Sequence, residues 1–363
     1  MALLELDGVK KAYGDVDVLS GVDLEVDSGT FTVVCSMPAA GKSVLARIVC
    51  GLEPVDAGRV FLRGEDITTV GPGGRNIGYV PQSFALYPHY SVERNIAYPL
   101  QLDKLPAAEI GPRVRAIAEM LGVADLLGSR VDQISGGQKQ RVALARGLVK
   151  QTSVFVLDDP LVGLDFKLRE QLVDDLRGMQ RQLGATFVYL TSQPLETMTL
   201  GEVVSVLHDG RVVETGRMPG VYLRPGHVAT MQLLGFPRAN VIEATVEGGS
   251  ARSELLSVDV TGLPAGTTSV LLGIRPENLE LFDPVPGAIR IPLRLQIVED
   301  LGSDSVIHLE AGSRTLTACV PTHALGDPDT LELEAGWVRP ESVQVFDATS
   351  GRALGVGQSV AHV

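Results

Sequence analysis

Short apolar runs alternate with amphipathic helical segments along the first two-thirds of the chain. Residues 30–35 (TFTVVC) and 153–157 (SVFVL) are β-rich runs with the length of a buried strand. The first run leads through a loop into a helical segment, KSVLARIVCG, which ends at Gly51. Because strands and helices alternate in this order, we predict an α/β fold with a mostly parallel sheet.

A long amphipathic helix follows the second run. Its apolar positions recur every three or four residues on one face, and Gly184 is placed to end it. These positions are Leu168, Leu172, Leu176, Met179 and Leu183. Further strands are predicted at 186–191 and 202–207, which continue the sheet.

Two regions interrupt this alternation. A helical insert is predicted over about residues 86–151. Four apolar positions mark one of its helices, Ile110, Val114, Ile117 and Leu121. After about residue 236 short β-prone runs are separated by turns rich in glycine, proline and aspartate, which is typical of a small all-β barrel. We therefore predict an α/β domain over 1–235 and an all-β domain over 236–363.

The charge balance argues against nucleic acid as a partner. The 363-residue chain has a formal net charge of −13, whereas nucleic-acid binders need a basic surface. The three cysteines lack metal-ligand spacing and fit a reducing cytosol. Glu5 and Asp7 stand where a signal peptide would be apolar, and no apolar run approaches the roughly 20 residues of a membrane span. We expect a partner to carry the chain to any membrane at which it works.

The first candidate site is the loop SMPAAGKS, from Ser36 to Ser43. It follows a predicted strand and opens a helix, and it ends in the Gly41-Lys42-Ser43 triplet of a phosphate-binding loop. Amides at the helix N-terminus would bind phosphate oxygens, Lys42 would neutralise them and the Ser43 hydroxyl would ligate Mg²⁺. An ordinary strand-turn-helix remains an alternative for this loop alone.

The second candidate site is the string ISGGQKQRVALARGL, which begins at Ile134. The Ser135 hydroxyl, the amides of Gly136 and Gly137 and the helix dipole together form an anion site. A serine-capped helix with a loose lead-in is the structural alternative, but the string is long and specific.

With this string the chain resembles the ATPase subunits of ABC importers, in particular those for maltose-type sugars and glycerol phosphate. The resemblance implies that the signature motif, Ser135 to Gln138, caps the γ-phosphate of ATP held by the opposite subunit of a head-to-tail dimer. It also extends to the C-terminal third, where GIRPENLEL, VEDLGSDSVIHL and ESVQVFDATSG are similar to the oligomer-binding-fold (TOBE-like) regulatory domain of these ATPases.

The resemblance assigns roles to residues elsewhere in the chain. Tyr13 would stack on adenine, Gln82 would sense Mg²⁺ and the γ-phosphate, Asp158 would orient Mg²⁺, and Asp165 would cross the dimer interface. The segment after Gln82 would contact the permease. The full set implied for nucleotide is Tyr13, Ser36, Ala39, Ala40, Gly41, Lys42, Ser43, Val44, Ser135, Gly136, Gly137, Gln138 and Asp165, and the set implied for Mg²⁺ is Ser43, Gln82 and Asp158.

Two departures from the family pattern fall on the hydrolysis chemistry. Asp159 replaces the catalytic glutamate, so the carboxylate that should align the attacking water is one methylene shorter. Ser192 replaces the switch histidine in VYLTSQ, and its hydroxyl is shorter than an imidazole and carries no cationic form. We therefore expect slow hydrolysis at this chain's own site.

Further departures fall on the phosphate-binding loop. Ser36 and Ala39 stand where the family has glycines, so we expect strain where the loop wraps the anion. Val44 replaces a hydroxyl residue and removes a side-chain donor. The signature is nearly intact by contrast.

This asymmetry suggests the catalytically degenerate half of a heterodimeric ATPase pair, which binds ATP and Mg²⁺ and lends its signature to a different ATPase chain. The other predicted partners are two transmembrane permease subunits at the cytoplasmic face of the membrane and, indirectly, an extracytoplasmic solute-binding protein. A homodimeric, active sugar-importer ATPase and a non-hydrolysing nucleotide-sensing subunit remain alternatives.

Overall fold

The computed structural model describes residues 2–282, 284–326 and 331–358. The chain divides into two compact units, Met1–Met218 and Pro219–Val363. This division falls before the boundary at 235/236 that the sequence suggests, because the segment after Pro219 bonds to the all-β unit. The Val228 amide, for example, donates to the Gly351 carbonyl at 2.8 Å.

The first unit is built on two sheets. The larger has the strand order β10-β9-β3-β8-β7-β6, in which all neighbours are parallel except β9 and β10. A four-stranded antiparallel sheet has the order β2-β1-β4-β5. The strands are β1 (Ala2–Tyr13), β2 (Val16–Asp27), β3 (Phe31–Cys35), β4 (Ala57–Leu62), β5 (Glu65–Asp66), β6 (Gly78–Val80), β7 (Val154–Asp158), β8 (Thr186–Thr191), β9 (Val203–His208) and β10 (Arg211–Arg217). The predicted α/β fold with a mostly parallel sheet is confirmed.

The helices of this unit lie between its strands along the chain. They are α1 (Lys42–Val49), α2 (Pro72–Arg75), α3 (Val92–Leu102), α4 (Ala107–Met120), α5 (Gly136–Leu148), α6 (Phe166–Leu183) and α7 (Pro194–Leu200). Helix α6 ends at Gly184, which has the left-handed φ of 58° that glycine tolerates best. Leu183 departs from the predicted apolar face, since it lies exposed in the last turn. Helices α3, α4 and α5 lie within the predicted helical insert, and their buried residues join one hydrophobic core with β3, β7 and β8.

The second unit is mainly β structure. It begins with two short helices, α8 (Gly220–Leu223) and α9 (Val228–Leu233). A six-stranded antiparallel sheet has the order β13-β12-β11-β14-β20-β21, with a three-stranded sheet β16-β17-β18 and a pair β15-β19 beside it. The strands are β11 (Asn240–Glu247), β12 (Ser250–Arg252), β13 (Ser257–Asp259), β14 (Ser269–Ile274), β15 (Ile289–Pro292), β16 (Arg294–Asp300), β17 (Asp304–Ala311), β18 (Arg314–Pro321), β19 (Ala335–Val338), β20 (Gln344–Asp347) and β21 (Ala353–Val356). The predicted all-β character of this region is therefore confirmed.

Among the described residues, no helix combines the length and the apolar character that a membrane span requires. Of the three thiols, Cys35 and Cys50 are buried in the first unit, whereas Cys319 is only partly buried on β18.

Candidate nucleotide-binding site

The phosphate-binding loop connects the buried end of β3 to the start of α1. Gly41 caps α1 without a side-chain hydrogen bond, so the amides of the first turn have no side-chain acceptor. The Lys42 side chain is 4% exposed and lies inside the loop, with its Nζ 3.3 Å from Ser36 Oγ and 3.4 Å from the Met37 carbonyl. Uncapped amides around a buried cation form a cradle for an anion, and these residues therefore fit a nucleotide phosphate.

The two substituted loop positions differ in their backbone. Ala39 has φ 63°, a left-handed conformation that favours glycine, so the strain expected there is present. Ser36 is not among the residues with positive φ. Its buried hydroxyl instead donates to the Met37 carbonyl at 2.9 Å. The expected strain is therefore confined to Ala39.

The remaining loop residues are placed by packing. Gly41 has φ 94°, and a Cβ there would approach Val18 Cγ1 to 2.9 Å, so glycine is needed for both conformation and space. The Ala40 amide closes a turn onto the Met37 carbonyl at 3.4 Å. Val44 directs its side chain into the core that α1 forms with the sheets, where it is 9% exposed.

Ser43 and Asp158 meet at the carboxyl end of the sheet. Ser43 Oγ donates to Asp158 Oδ1 at 3.0 Å. Burial is the largest cause that raises the pKa of Asp158, and the Ser43 hydroxyl opposes it. A hydroxyl and a carboxylate are the hard oxygen donors that Mg²⁺ prefers, with substrate oxygens completing its shell. No group of three or more His, Cys, Asp or Glu in the described part of the chain could hold a metal by itself.

Asp159 lies directly beside this pair with an unusual backbone. Its φ is 42°, again left-handed for a non-glycine residue. Its Oδ2 lies 3.7 Å from Lys42 Nζ, and its Oδ1 accepts the Ser192 amide at 3.3 Å. The short carboxylate is thus held between the loop lysine and the backbone of the switch position.

A buried network of hydrogen bonds joins α7 to the end of β8, next to Ser192. Glu196 Oε2 accepts the Tyr189 hydroxyl at 2.8 Å and the Thr191 hydroxyl at 2.7 Å, and Oε1 lies 3.8 Å from Arg169 Nε. Glu196 is 4% exposed. Three of the four positions beside Glu196 on a helix, Ser192, Gln193 and Thr199, are polar, so no sequence pattern singled out this carboxylate. The network fixes the strand end that carries Ser192.

Glu196 should make stability depend on pH. Burial is the largest cause that raises its pKa above the ordinary 4.5, and the Thr191 hydroxyl opposes it. Its contribution to the free energy of unfolding is therefore fully present below pH 4.5 and is lost as the pH rises through the raised folded value.

We expect that Glu196→Gln removes this dependence, because glutamine does not titrate. Across a pH series, urea titrations should show the wild-type chain losing stability relative to the variant as the pH rises above the ordinary carboxyl value of 4.5. Exposed Glu170→Gln, also on the first unit, is the matched control. A constant difference between wild type and Glu196→Gln over the series would contradict the expectation.

The signature string forms the N-terminus of α5, as predicted. Ser135 Oγ accepts the Gln138 amide at 3.3 Å, and Gln138 Oε1 accepts the Ser135 amide at 2.9 Å, which is a complete capping box. Ser135 and Gly136 are exposed. A Cβ at Gly137 would approach Leu168 Cδ2 to 2.4 Å, so a larger residue there would have to displace the end of the Leu168 side chain on α6. The serine cap, which the sequence left open as the structural alternative, is therefore present at this exposed helix end.

Within the described residues, three predicted site residues form no hydrogen bond or ion pair with Lys42, Asp158 or Asp159. Gln82 is exposed after β6, and its side chain makes no hydrogen bond to the part of the chain that the structure describes. Tyr13 is 44% exposed at the end of β1, where its hydroxyl is the largest cause that raises the pKa of Arg47 on α1. Asp165 is exposed and caps α6, with its Oδ1 accepting the Leu168 amide at 3.0 Å.

The comparisons with known proteins agree with this geometry. Residues 19–162 match the family model described as ABC transporter. The sulfoquinovosyl glycerol transport ATP-binding protein SmoE of Agrobacterium fabrum is 36% identical over 98% of this chain and 100% of its own length. The sn-glycerol-3-phosphate import ATP-binding protein UgpC of Ruegeria pomeroyi is 36% identical, covering 98% of this chain and 99% of UgpC. The trehalose/maltose import ATP-binding protein MalK of Thermococcus litoralis is 34% identical, covering 98% of this chain and 100% of MalK.

Solved structures match part of the chain. The dimeric ATP-binding cassette MJ0796, in a post-hydrolysis state bound to ADP and Pi, superposes with a TM-score of 0.55 and 26% identity over 60% of this chain and 99% of that one. The ADP conformation of the cassette MJ1267 gives a TM-score of 0.53 at 21% identity, over 60% of this chain and 91% of that one, and supports the fold alone.

The phosphate-binding loop, the paired aspartates and the capped signature helix define an ATPase of the P-loop class. The chain belongs to the ATP-binding proteins of ABC transporters.

Proposed function

We propose that this chain is the ATP-binding subunit of an importer for a sugar, polyol or glycerol-phosphate-type solute, and that its own pocket hydrolyses ATP slowly. The observation that carries the importer assignment is the similarity, over nearly the whole of both chains, to ATP-binding proteins named for such transport. The permease and the extracytoplasmic binding protein would select the solute, and the chain would work at the cytoplasmic face of the membrane through the permease.

Different residues of the chain would bind the phosphates, bind Mg²⁺ and position the attacking water. Lys42 and the uncapped amides of α1 would hold the phosphates, and Ser43 with Asp158 would hold Mg²⁺. ATP, when bound, supplies the terminal phosphoryl group whose transfer to water releases energy. Asp159 would have to aim that water, yet its carboxylate is drawn toward Lys42 and the Ser192 amide. A displacement of about 1 Å can lower a rate on the order of 100-fold.

The oligomer is a separate question within this proposal. A composite pocket needs a second ATPase subunit, whose signature would close this pocket while Ser135 to Gln138 closes the other. The names of the relatives mention no distinct second ATPase chain, so a second copy of this chain is the simpler partner. The weak site at Asp159 and Ser192 is the observation that favours a different chain as partner. Gel filtration of the purified chain with Mg·ATP distinguishes the two, because only the first predicts a stable self-dimer.

Uptake measurements test the importer assignment. A strain that lacks this chain should lose uptake of at least one radiolabelled solute among sn-glycerol 3-phosphate, maltose and trehalose, and the wild-type gene should restore it. Normal uptake of all three, together with normal uptake of a wider panel of sugars and polyols, would count against the proposal.

Tyr13 provides a test of the nucleotide pocket. If its exposed ring stacks on adenine, Tyr13→Ala should weaken ATP binding by about 1–2 kcal/mol, or roughly 5- to 30-fold, whereas Tyr13→Phe keeps the ring and should change the affinity little. Fluorescent-ATP titration of the purified full-length chain measures both. Equal affinities for the wild type and Tyr13→Ala would place the adenine elsewhere.

A further inference from the structure

The last turn of α5 is bonded to the loop that follows Gln82. Arg146 Nη1 donates to the Ala85 carbonyl at 2.6 Å, and Nη2 donates to the Phe84 carbonyl at 2.9 Å. The same guanidinium lies 5.5 Å from the centre of the Tyr87 ring. One side chain thus contacts Phe84, Ala85 and Tyr87 of the loop. Its two hydrogen bonds are charge-assisted, and such bonds are among the stronger ones in proteins.

The loop needs such support because its own backbone is strained. Ala85 has φ 43°, a left-handed conformation that a residue with a Cβ rarely adopts without help from its surroundings. On the other side of the loop, the fully buried Asn95 accepts the Tyr87 amide at 2.8 Å and donates to the Tyr87 carbonyl at 3.1 Å. Asn95 belongs to α3, so the loop is held between α3 and α5.

The opposite end of α5 carries the signature. The helix runs from Gly136 to Leu148, so its two ends lie about 18 Å apart at a rise of roughly 1.5 Å per residue. Between them, the buried Gln140 donates to the Pro160 carbonyl, directly after Asp159. Helix α5 is therefore bonded to two loops of the first unit, the one after Asp159 and the one after Gln82.

We infer that Arg146 is a positioning residue that ties the loop of Phe84, Ala85 and Tyr87 to the signature helix. When a partner's nucleotide engages the Ser135 end, α5 moves as one rigid element and Arg146 carries the loop with it. This inference rests on the proposed function, since it assumes that the Ser135 end meets a partner. It adds a residue that acts through the loop.

The test uses hydrogen–deuterium exchange of the full-length chain. In Arg146→Met, amides 84–90 should exchange about 10-fold faster than in wild type without nucleotide, and Mg·ATP should no longer slow them. Arg146→Lys keeps the charge and one donor and should restore part of the protection. Arg177→Met, an exposed arginine on α6, is the matched control and should behave as wild type.

Two further measurements separate positioning from folding. The melting temperature and the fluorescent-ATP Kd of Arg146→Met should stay within a few degrees and about 2-fold of wild type, since α5 and the pocket are otherwise intact. Wild-type exchange in Arg146→Met, or a parallel collapse of Kd and melting temperature in both Arg146 variants, would overturn the inference. If the wild-type chain binds no ATP, the proposed function fails, and the nucleotide-free arm still decides on Arg146.

Discussion

Restoring a glutamate at position 159 together with a histidine at position 192 should raise ATP turnover about 100-fold. The longer carboxylate of Asp159→Glu can reach past Lys42 toward the attacking water, and the imidazole of Ser192→His reaches where a serine hydroxyl stops. Each change alone should recover less than the pair, because both groups act on the same terminal phosphate. Phosphate release by the purified full-length chain, with Mg·ATP in excess, measures the rate.

The controls for this experiment are Asp159→Asn with Ser192→Ala, which should leave the slow wild-type rate nearly unchanged or lower it. Binding of fluorescent ATP should be similar in all variants, so that a change in rate reports chemistry. A wild-type chain that already matches the glutamate–histidine variant would show that the short carboxylate suffices. That result would support the alternative of an active, homodimeric ATPase.

Replacing Arg75 with methionine should destabilise the first unit by about 3–5 kcal/mol, since each buried acceptor left without a donor costs about 1–3 kcal/mol. Arg75 is 4% exposed and donates to four carbonyls. These are Val70 at 2.7 Å, Ile48 at 2.7 Å, Val49 at 2.9 Å and Thr68 at 2.9 Å. Two of them belong to the last turn of α1, where the Ile48 carbonyl also accepts the Gly51 amide at 3.0 Å. Arg75 therefore adds donors at a helix end, where carbonyls lack partners within the helix.

Urea titration followed by far-ultraviolet circular dichroism measures this loss. Fluorescence is unsuitable, because the single tryptophan of the chain, Trp337, lies in the second unit. The lysine of Arg75→Lys keeps the charge but lacks the branched guanidinium. The free energy of unfolding of this variant should therefore fall between those of the wild type and Arg75→Met. The exposed Arg59→Met is the matched control. A loss below about 1 kcal/mol for Arg75→Met would mean that water replaces the guanidinium, since exposed groups regain their hydrogen bonds from solvent.

The order of elements could be predicted because it depends on local patterns. The runs at β3, β7 and β8 are mainly apolar and buried at every position, since parallel strands are covered on both faces. Gly184 ends α6 as expected, because the chain leaves the helix in a left-handed backbone conformation that glycine adopts at low cost. The positions of Lys42, Ser43 and Asp158 followed from the same logic, since loops at the carboxyl edge of a parallel sheet converge.

Contacts between distant segments were not accessible from the sequence. The pairing of Asp159 with Lys42 and the Ser192 amide depends on side-chain torsions and on a left-handed backbone, which no local pattern encodes. The bonds of Arg146 to the Phe84 and Ala85 carbonyls join segments 62 and 61 residues apart. Such contacts arise from the packing of the helices, so only the structure supplies them.

The division after Met218 affects how a nucleotide-binding fragment should be cut. A fragment ending at 235 would keep α9, whose buried Met231 packs against Phe346 and Ala239, and would discard both of those partners. The orphaned apolar face would then favour aggregation. A fragment ending at Met218 retains every strand of the six-stranded sheet through β10 and omits α9, so it is the better starting point for calorimetry or crystallisation of the ATPase unit alone.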